Sequence, residues 1–339
     1  MISGVPLPAA RILGLGTFRP ERTVTNSVLG QSLNLSPEWI ESRTGIAGRR
    51  RADDSETVVD MGIRAARQAI EHAGIDPADI DCVIGATISF TDQTPSAAVR
   101  IAAELDLSRP AAFDISAACA GFTYALDLAR CMIAGGTARH VLVVGVERMS
   151  DLVDPTDPNT AILFSDGAGA VVVGPARTPG IGPIVWGADG RKADLVAQNS
   201  SWTDFRDRGG PQPYLRMSGQ DLFMWVIEQI PAFAYRALEL SGLTVADLDA
   251  FIPHQANARM TECLCRALEL PDRVVVADDI RHQGNASGAS IPLAMAGLLE
   301  EHPRLHGGTA LLVGFGAGLA FGAQVVQLPS TPGAPLSDV

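Results

Sequence analysis

Short apolar runs and helix-length amphipathic stretches alternate along most of the chain. Strands are predicted at Ala10–Leu15, Cys82–Ile88, Val141–Val146, Ala168–Val173, Ala250–Ile252, Val274–Val276, Ala310–Val313 and Gln324–Leu328, with a further strand-like run ending Phe113-Asp114-Ile115-Ser116. Helices are predicted at Val58–Ala73, Ala97–Leu105, Gly121–Ala134, Phe223–Leu240, Ala258–Leu268 and Ile291–Glu300. Alternation of this kind implies βαβ units, with buried sheets covered by helices. The polar stretch Gly187–Gln220, rich in Gly, Pro and Asp, interrupts it and reads as a long lid or binding loop.

The pattern also repeats. Gly74-Ile75-Asp76-Pro77-Ala78-Asp79-Ile80-Asp81 leads into the strand at Cys82, and Gly242-Leu243-Thr244-Val245-Ala246-Asp247-Leu248-Asp249 leads into the strand at Ala250. Each half closes on paired apolar strands around a glycine-rich turn. The α/β chain therefore divides into an N-terminal half, 1–178, and a C-terminal half, 179–328, with a loose Pro/Ser/Gly-rich tail at 329–339. A duplicated enzyme places its site at the join.

Composition narrows the function classes. The net charge is -12, which argues against a nucleic-acid binder and against adsorption to an anionic membrane. Lys192 is the single lysine, so a docking site for an acidic partner has to use arginine. The five cysteines show no CxxC spacing, and Cys263 and Cys265 point to different sides of a helix, so no metal site is expected. An odd cysteine count and the lack of a signal-like segment in Met1–Arg11 point to the cytosol. No apolar run reaches the roughly 18 residues that span a bilayer.

Cys119 is the most informative residue. It sits in the small-residue stretch Ala117-Ala118-Cys119-Ala120-Gly121-Phe122, between a strand and the start of a helix. The positive end of a helix dipole and its unpaired N–H groups favour thiolate, the reactive form of cysteine. His254 follows the strand at Ala250 and precedes a helix, where α/β proteins place ligands. Asn285, in Gly284-Asn285-Ala286-Ser287-Gly288-Ala289-Ser290, sits at the second-half counterpart of the junction carrying Cys119. Taken singly, His254 fits a satisfied core histidine and Asn285 a helix cap. Together the three suit an acyl-thioester chemistry. The thiolate takes an acyl group. A neutral His and an Asn amide then donate to the carbonyl oxygen of a malonyl thioester, whose decarboxylation builds charge on that oxygen.

With these motifs in hand, the chain resembles the β-ketoacyl-acyl-carrier-protein synthase III family of the thiolase-like superfamily. The resemblance runs from Arg11 to Leu328 and rests on Glu38-Trp39-Ile40 with Arg43-Thr44-Gly45-Ile46, Ala117–Phe122, Asp166-Gly167-Ala168-Gly169-Ala170, Ile252-Pro253-His254-Gln255-Ala256-Asn257, Gly284-Asn285 and Gly314-Phe315-Gly316. It implies a five-layer αβαβα fold, a homodimer, and no permanently bound cofactor or metal. The substrates it implies are acyl-coenzyme A or acyl-carrier-protein thioesters. The implied triad is Cys119, His254 and Asn285, with oxyanion amides from Cys119 and Ala317 and an aromatic support, Phe315. Trp39, Arg43, Thr94, Gln220, Ala256 and Arg259 are the implied substrate and carrier-protein contacts.

The resemblance has departures. An Arg-Gly pair that often follows the Asp-Pro-Thr-Asp stretch is replaced by Pro158-Asn159, a lysine often found near Met224 is missing, and Gln220 stands for an asparagine. Thr94 stands where some members have a phenylalanine that closes the acyl pocket, which implies room for a longer or branched acyl group. The leading expectation is acyl transfer to Cys119 followed by decarboxylative condensation with malonyl-acyl carrier protein, initiating fatty-acid or polyketide synthesis. The alternative is transfer of the Cys-bound acyl group to a hydroxyl or amine without condensation. A non-catalytic relative would be expected to lose the cysteine. The Gly314-x-Gly316-x-Gly318 string lies between strands, which does not suit a dinucleotide.

Overall fold

The computed structural model describes residues 9–333. The first half runs β1 (Ala9–Phe18), β2 (Thr23–Thr25), α1 (Asn26–Leu33), α2 (Pro37–Thr44), β3 (Gly48–Arg50), α3 (Val58–Ala73), β4 (Cys82–Ala86), α4 (Ala97–Glu104), β5 (Ala111–Ile115), α5 (Gly121–Ala134), β6 (Val141–Arg148), α6 (Pro158–Ala161) and β7 (Asp166–Ala176). The second runs β8 (Val185–Ala188), β9 (Val196–Gln198), α7 (Trp202–Arg208), β10 (Leu215–Met217), α8 (Gly219–Leu240), β11 (Ala250–Pro253), α9 (Ala258–Ala267), β12 (Val275–Val276), α10 (Ile280–Gln283), α11 (Ser290–Glu301), β13 (Thr309–Gly316) and β14 (Ala320–Gln327).

The duplication is visible in the sheets. One has the order β1-β7-β6-β4-β5 and the other β8-β14-β13-β11-β12. In each, two parallel pairs are followed by antiparallel pairs at the other edge. Side-chain alternation along the strands builds the layers. Val141 and Val143 of β6 pack into the core shared with Phe122, Leu126 and Ile133 of α5 and with α11. Leu142, Val144 and Val146 face the opposite way, into a core with α3 and α4. In the second sheet Ala310 and Leu312 join the central core, while Leu311 and Val313 pack with Val226 and Ile230 of α8 and Leu264 of α9. The order is helices, sheet, helices α5 and α11, sheet, helices: five layers. Burial of these two-faced strands, at about 25 cal/mol per Å² of apolar surface, is the main stabilising term.

Local signals fix the ends. A capping box between Thr57 and Asp60 starts α3, and Gly74, at φ 63°, stops it. Ser36 caps α2, with Pro37 at its first position. The segment expected to be an irregular loop, Gly187–Gln220, is ordered instead: β9 pairs with β10, and α7 lies between them. Its polar composition hid strands only three residues long. Part of the stretch expected to be a loose tail is tied down at Ser330. Ser330 Oγ accepts from Arg11 at 3.1 Å, and the carbonyl of Ser330 lies 2.9 Å from His72 Nε2. Residues 334–339, and Met1–Pro8 of the leader reading, lie outside the described residues. Among the described residues no helix is long and apolar enough to cross a membrane.

Candidate active site

Cys119 lies in a single 3₁₀ turn, Ala118–Ala120, that runs directly into α5. The matching turn in the second half is Ser287–Ala289, running into α11. Each turn opens on a non-glycine residue in the left-handed region, Ala118 at φ 45° and Ser287 at φ 46°. Such backbone is held only where the surroundings over-determine it. The two elbows meet at the centre of the molecule, and Gly288 is the second-half counterpart of Cys119. Gly288 sits in a tight space: a Cβ there would lie 3.2 Å from the Ala86 carbonyl oxygen and 3.3 Å from that of Ala118.

A cavity of about 540 Å³ opens from the surface onto this junction. Cys119, His254, Asn285, Phe315, Gly316 and Ala317 all line it. His254 follows β11, and its N–H donates to Val313 of the neighbouring β13 at 2.7 Å. Its Nδ1 is 2.7 Å from Ser290 Oγ, and its ring meets that of Phe315 edge-on at 5.3 Å. A serine hydroxyl donating to Nδ1 leaves the ring hydrogen on Nε2. Burial lowers the His254 pKa to about 3, so the imidazole is neutral at pH 7. Asn285 is pinned through its backbone. Its N–H donates to Leu163 and its carbonyl accepts from Ser165, both at 2.9 Å. Its side-chain oxygen accepts from the Ser287 N–H at 2.9 Å, and its Nδ2 points to the Ala256 carbonyl at 3.5 Å.

The helix start does not make Cys119 a resting thiolate, contrary to the expectation from its position. The exposed part of the residue faces the cavity, but its thiol is pushed up to about 12 by burial, partly offset by a hydrogen bond to Ser287, with the Glu147 charge adding to the rise. Cys119 is the second residue and Ala317 the first of separate 3₁₀ turns, where backbone N–H groups have no intrahelical acceptor. Among the described residues neither N–H has a backbone acceptor. Gly316 packs directly on Cys119.

The outer wall is polar. Trp39 and Arg43 of α2 stack, with the guanidinium 5.4 Å from the ring centroid, and both are exposed at the cavity with Gln220 and Arg259. The Gly187–Gln220 segment does reach the cavity, through Val196, Met217, Gly219 and Gln220. Thr94 does not line the cavity of its own chain. It lies on an exposed loop ahead of α4, whose first amides, Ala97 and Ala98, donate to Asp114 of β5.

Five residues in or beside the site were not singled out from sequence. Ser287 and Ser290 stood within the Gly284–Ser290 string. Glu147 is a fully buried carboxylate at the end of β6, and a charge closing an apolar strand was its signal. Arg216 holds Asp154 and Asp157, each at 3.2 Å, beside Pro158 and Asn159. A guanidinium from β10 thus occupies the Asp-Pro-Thr-Asp turn. Asp166, in the Asp-Gly-Ala-Gly-Ala motif, is a buried latch accepting from Ala52 and Ser150.

The duplicated five-layer fold with its central cavity defines a thiolase-like α/β protein. Residues 113–190 match the family described as 3-oxoacyl-[acyl-carrier-protein (ACP)] synthase III, and residues 238–328 match the C-terminal part of the same family. The chain is 50% identical over 323 residues to a beta-ketoacyl-[acyl-carrier-protein] synthase III of Streptomyces glaucescens, covering 95% of this chain and 97% of that one. It is 47% identical over 319 residues to the mycobacterial beta-ketoacyl-[acyl-carrier-protein] synthase III of Mycobacterium avium, covering 94% and 95%. The crystal structure of the priming beta-ketosynthase from the R1128 polyketide biosynthetic pathway superposes with a TM-score of 0.94 at 45% identity, covering 98% of this chain and all of that one (100%). The chain belongs to the 3-oxoacyl-[acyl-carrier-protein] synthase III family.

Proposed function

We propose that the chain is an initiating condensing enzyme that joins a Cys119-bound acyl group to malonyl-acyl carrier protein. The observation that carries this reading is the convergence of Cys119, His254 and Asn285 on one cavity. In the first step the Cys119 sulfur attacks the carbonyl of an acyl thioester and the donor thiol leaves. The N–H groups of Cys119 and Ala317 hold the oxyanion. In the second step malonyl-carrier protein enters. His254, neutral with hydrogen on Nε2, and the Asn285 amide donate to its thioester oxygen. Loss of CO2 leaves an enolate there, and donors fixed in advance stabilise that charge more than the ground state. The carbanion then attacks the acyl-Cys119 carbonyl to give a 3-oxoacyl thioester. Phe315 shields the imidazole edge and keeps its surroundings apolar.

Nothing in this sequence of steps calls for a resident cofactor or metal. Trp39 and Arg43 offer a stacked aromatic and a cation to a coenzyme A nucleotide. Arg259 offers a cation to an acidic carrier protein. A cytosolic enzyme fits these substrates. Among the described residues β5 is hydrogen-bonded on one edge only, by β4, and exposes Phe113 at 38%. An open edge of this kind invites a second copy, and we assign the homodimer contact to it. The loop bearing Thr94 abuts β5, so Thr94 reaches an acyl pocket only across that interface.

The test is CO2 release from malonyl-carrier protein by enzyme already acylated on Cys119. Release coupled to 3-oxoacyl product supports condensation. Acyl loss to a hydroxyl or amine acceptor, without CO2, supports the transfer alternative.

A further inference from the structure

The mechanism above leaves one step without an agent: the Cys119 proton must go somewhere before the sulfur can attack. His254 is a poor acceptor, because burial holds its pKa near 3. The structure offers another route. Cys119 Sγ–H donates to Ser287 Oγ at 3.5 Å, and Ser287 Oγ–H donates to Glu147 Oε1 at 3.0 Å. Glu147 is wholly buried, and every contact it makes is with a donor. Oε1 also receives the Gly288 N–H, and Oε2 receives the Ser89 and Thr87 hydroxyls and the N–H groups of Ile88 and Ser89. A buried carboxylate without a cationic partner is costly, and the reaction as described makes no use of it.

We propose that Ser287 and Glu147 form a proton relay that takes the Cys119 proton during acylation and returns it after condensation. The inference rests on the acyl-cysteine reading. As the Sγ–acyl bond forms, the thiol proton passes to Ser287 Oγ while the Ser287 proton passes to Glu147 Oε1. The donor's C–S bond breaks, and its thiolate takes a proton from solvent. In the second step the C–C bond forms, the acyl–Sγ bond breaks with its electron pair on sulfur, and Glu147 returns the proton through Ser287. One solvent proton is consumed per turnover, matching the electron pair that CO2 leaves on carbon. Ser287 touches the reacting atom. Glu147 acts through it and is a positioning residue.

The electrostatic surroundings are compatible. Glu147 bears on the thiol directly, and burial raises its carboxyl toward the neutral form that a proton acceptor must reach. His254 shares the cavity in its neutral form, and Arg148 turns away from its neighbour toward Asp54 and Asp151.

Two variants separate a relay from simpler roles. Ser287→Ala keeps the backbone N–H that holds Asn285, and alanine is tolerated at this backbone angle, since Ala118 adopts it in the matching turn. The probe is iodoacetamide, with Cys119 alkylation followed by peptide mass from pH 6 to 10. The expected result is a loss on the order of 100-fold at pH 7–8, narrowing as hydroxide takes over. Wild-type alkylation at all pH values overturns the relay, as does a loss that is the same at every pH. Glu147→Gln discriminates further. If Glu147 were only a repelling charge, its removal would speed alkylation, and that result overturns the relay; slowing supports it. Should Glu147→Gln not fold, the Ser287→Ala profile decides alone. If wild-type enzyme makes no 3-oxoacyl product while alkylation still depends on Ser287, the condensation reading fails and the relay stands.

Discussion

Gly316 leaves the space that Cys119 occupies. A Cβ on Gly316 would lie 2.8 Å from the Cys119 Cβ, 3.0 Å from its Sγ and 3.1 Å from its N. Gly316 ends β13 and Cys119 sits on the elbow before α5, so this contact sets how closely the two halves approach at the site. Gly316→Ala is expected to displace the sulfur and its N–H together. Overpacking of this kind costs about 1–3 kcal/mol, and acyl loading of Cys119, followed by intact mass, is expected to slow by at least roughly tenfold, the factor that 1.4 kcal/mol of barrier represents.

Asn285→Asp tests the division of labour between the two steps. The side-chain oxygen that accepts from Ser287 is kept, but the Nδ2 donor is replaced by an acceptor facing the Ala256 carbonyl. Loss of one preorganised donor costs roughly 10²–10³ in rate. Decarboxylation of malonyl-carrier protein is expected to fall by that factor while acyl loading of Cys119 stays within a few-fold. Equal losses in both steps would show that Asn285 does not act selectively on the enolate.

The buried imidazole makes an acid-stability prediction. In the folded chain His254 titrates at about 3, against an ordinary 6.5. The unfolded chain therefore binds this proton first as pH falls. The contribution to stability is full above pH 6.5 and is lost as pH drops from 6.5 toward 3, at about 1.4 kcal/mol per unit for one proton. Denaturant unfolding at pH 6.5 and 5 is expected to show a shallower decline for His254→Gln than for wild type.

Phe113→Asp places a charge on the open edge of β5. Light scattering is expected to show the wild-type chain as a dimer and the variant shifted to monomer. A variant that stays dimeric would move the interface away from β5 and remove Thr94 from any partner's pocket.

Much of the architecture was legible because two-faced strands and long helices leave strong periodic signals. α3 and α5 have the bounds that their patterns predict, and the repeated Gly74–Asp81 and Gly242–Asp249 strings mark corresponding strands, β4 and β11. Short edge elements were not legible. β8 exposes Trp186, and β9 and β10 are three residues each, too short for alternation to register. At the site, Cys119, His254 and Asn285 stood out because each sits at an element junction. Glu147 did not, because its role comes from six donors brought in from two distant segments, 87–89 and 287–288. The raised thiol was not legible for a related reason. The helix start is a local feature, whereas the burial that outweighs it arises from the packing of both halves.

The central claim is that Cys119 carries the acyl group that is condensed. The most direct measurement is intact-protein mass spectrometry of wild type and Cys119→Ala after a panel of acyl thioesters, followed by malonyl-carrier protein with product detection. The account predicts a single acyl adduct on Cys119 in the wild type. That adduct disappears as 3-oxoacyl-carrier protein forms, and Cys119→Ala gives neither adduct nor product. Formation of 3-oxoacyl product by Cys119→Ala would contradict it.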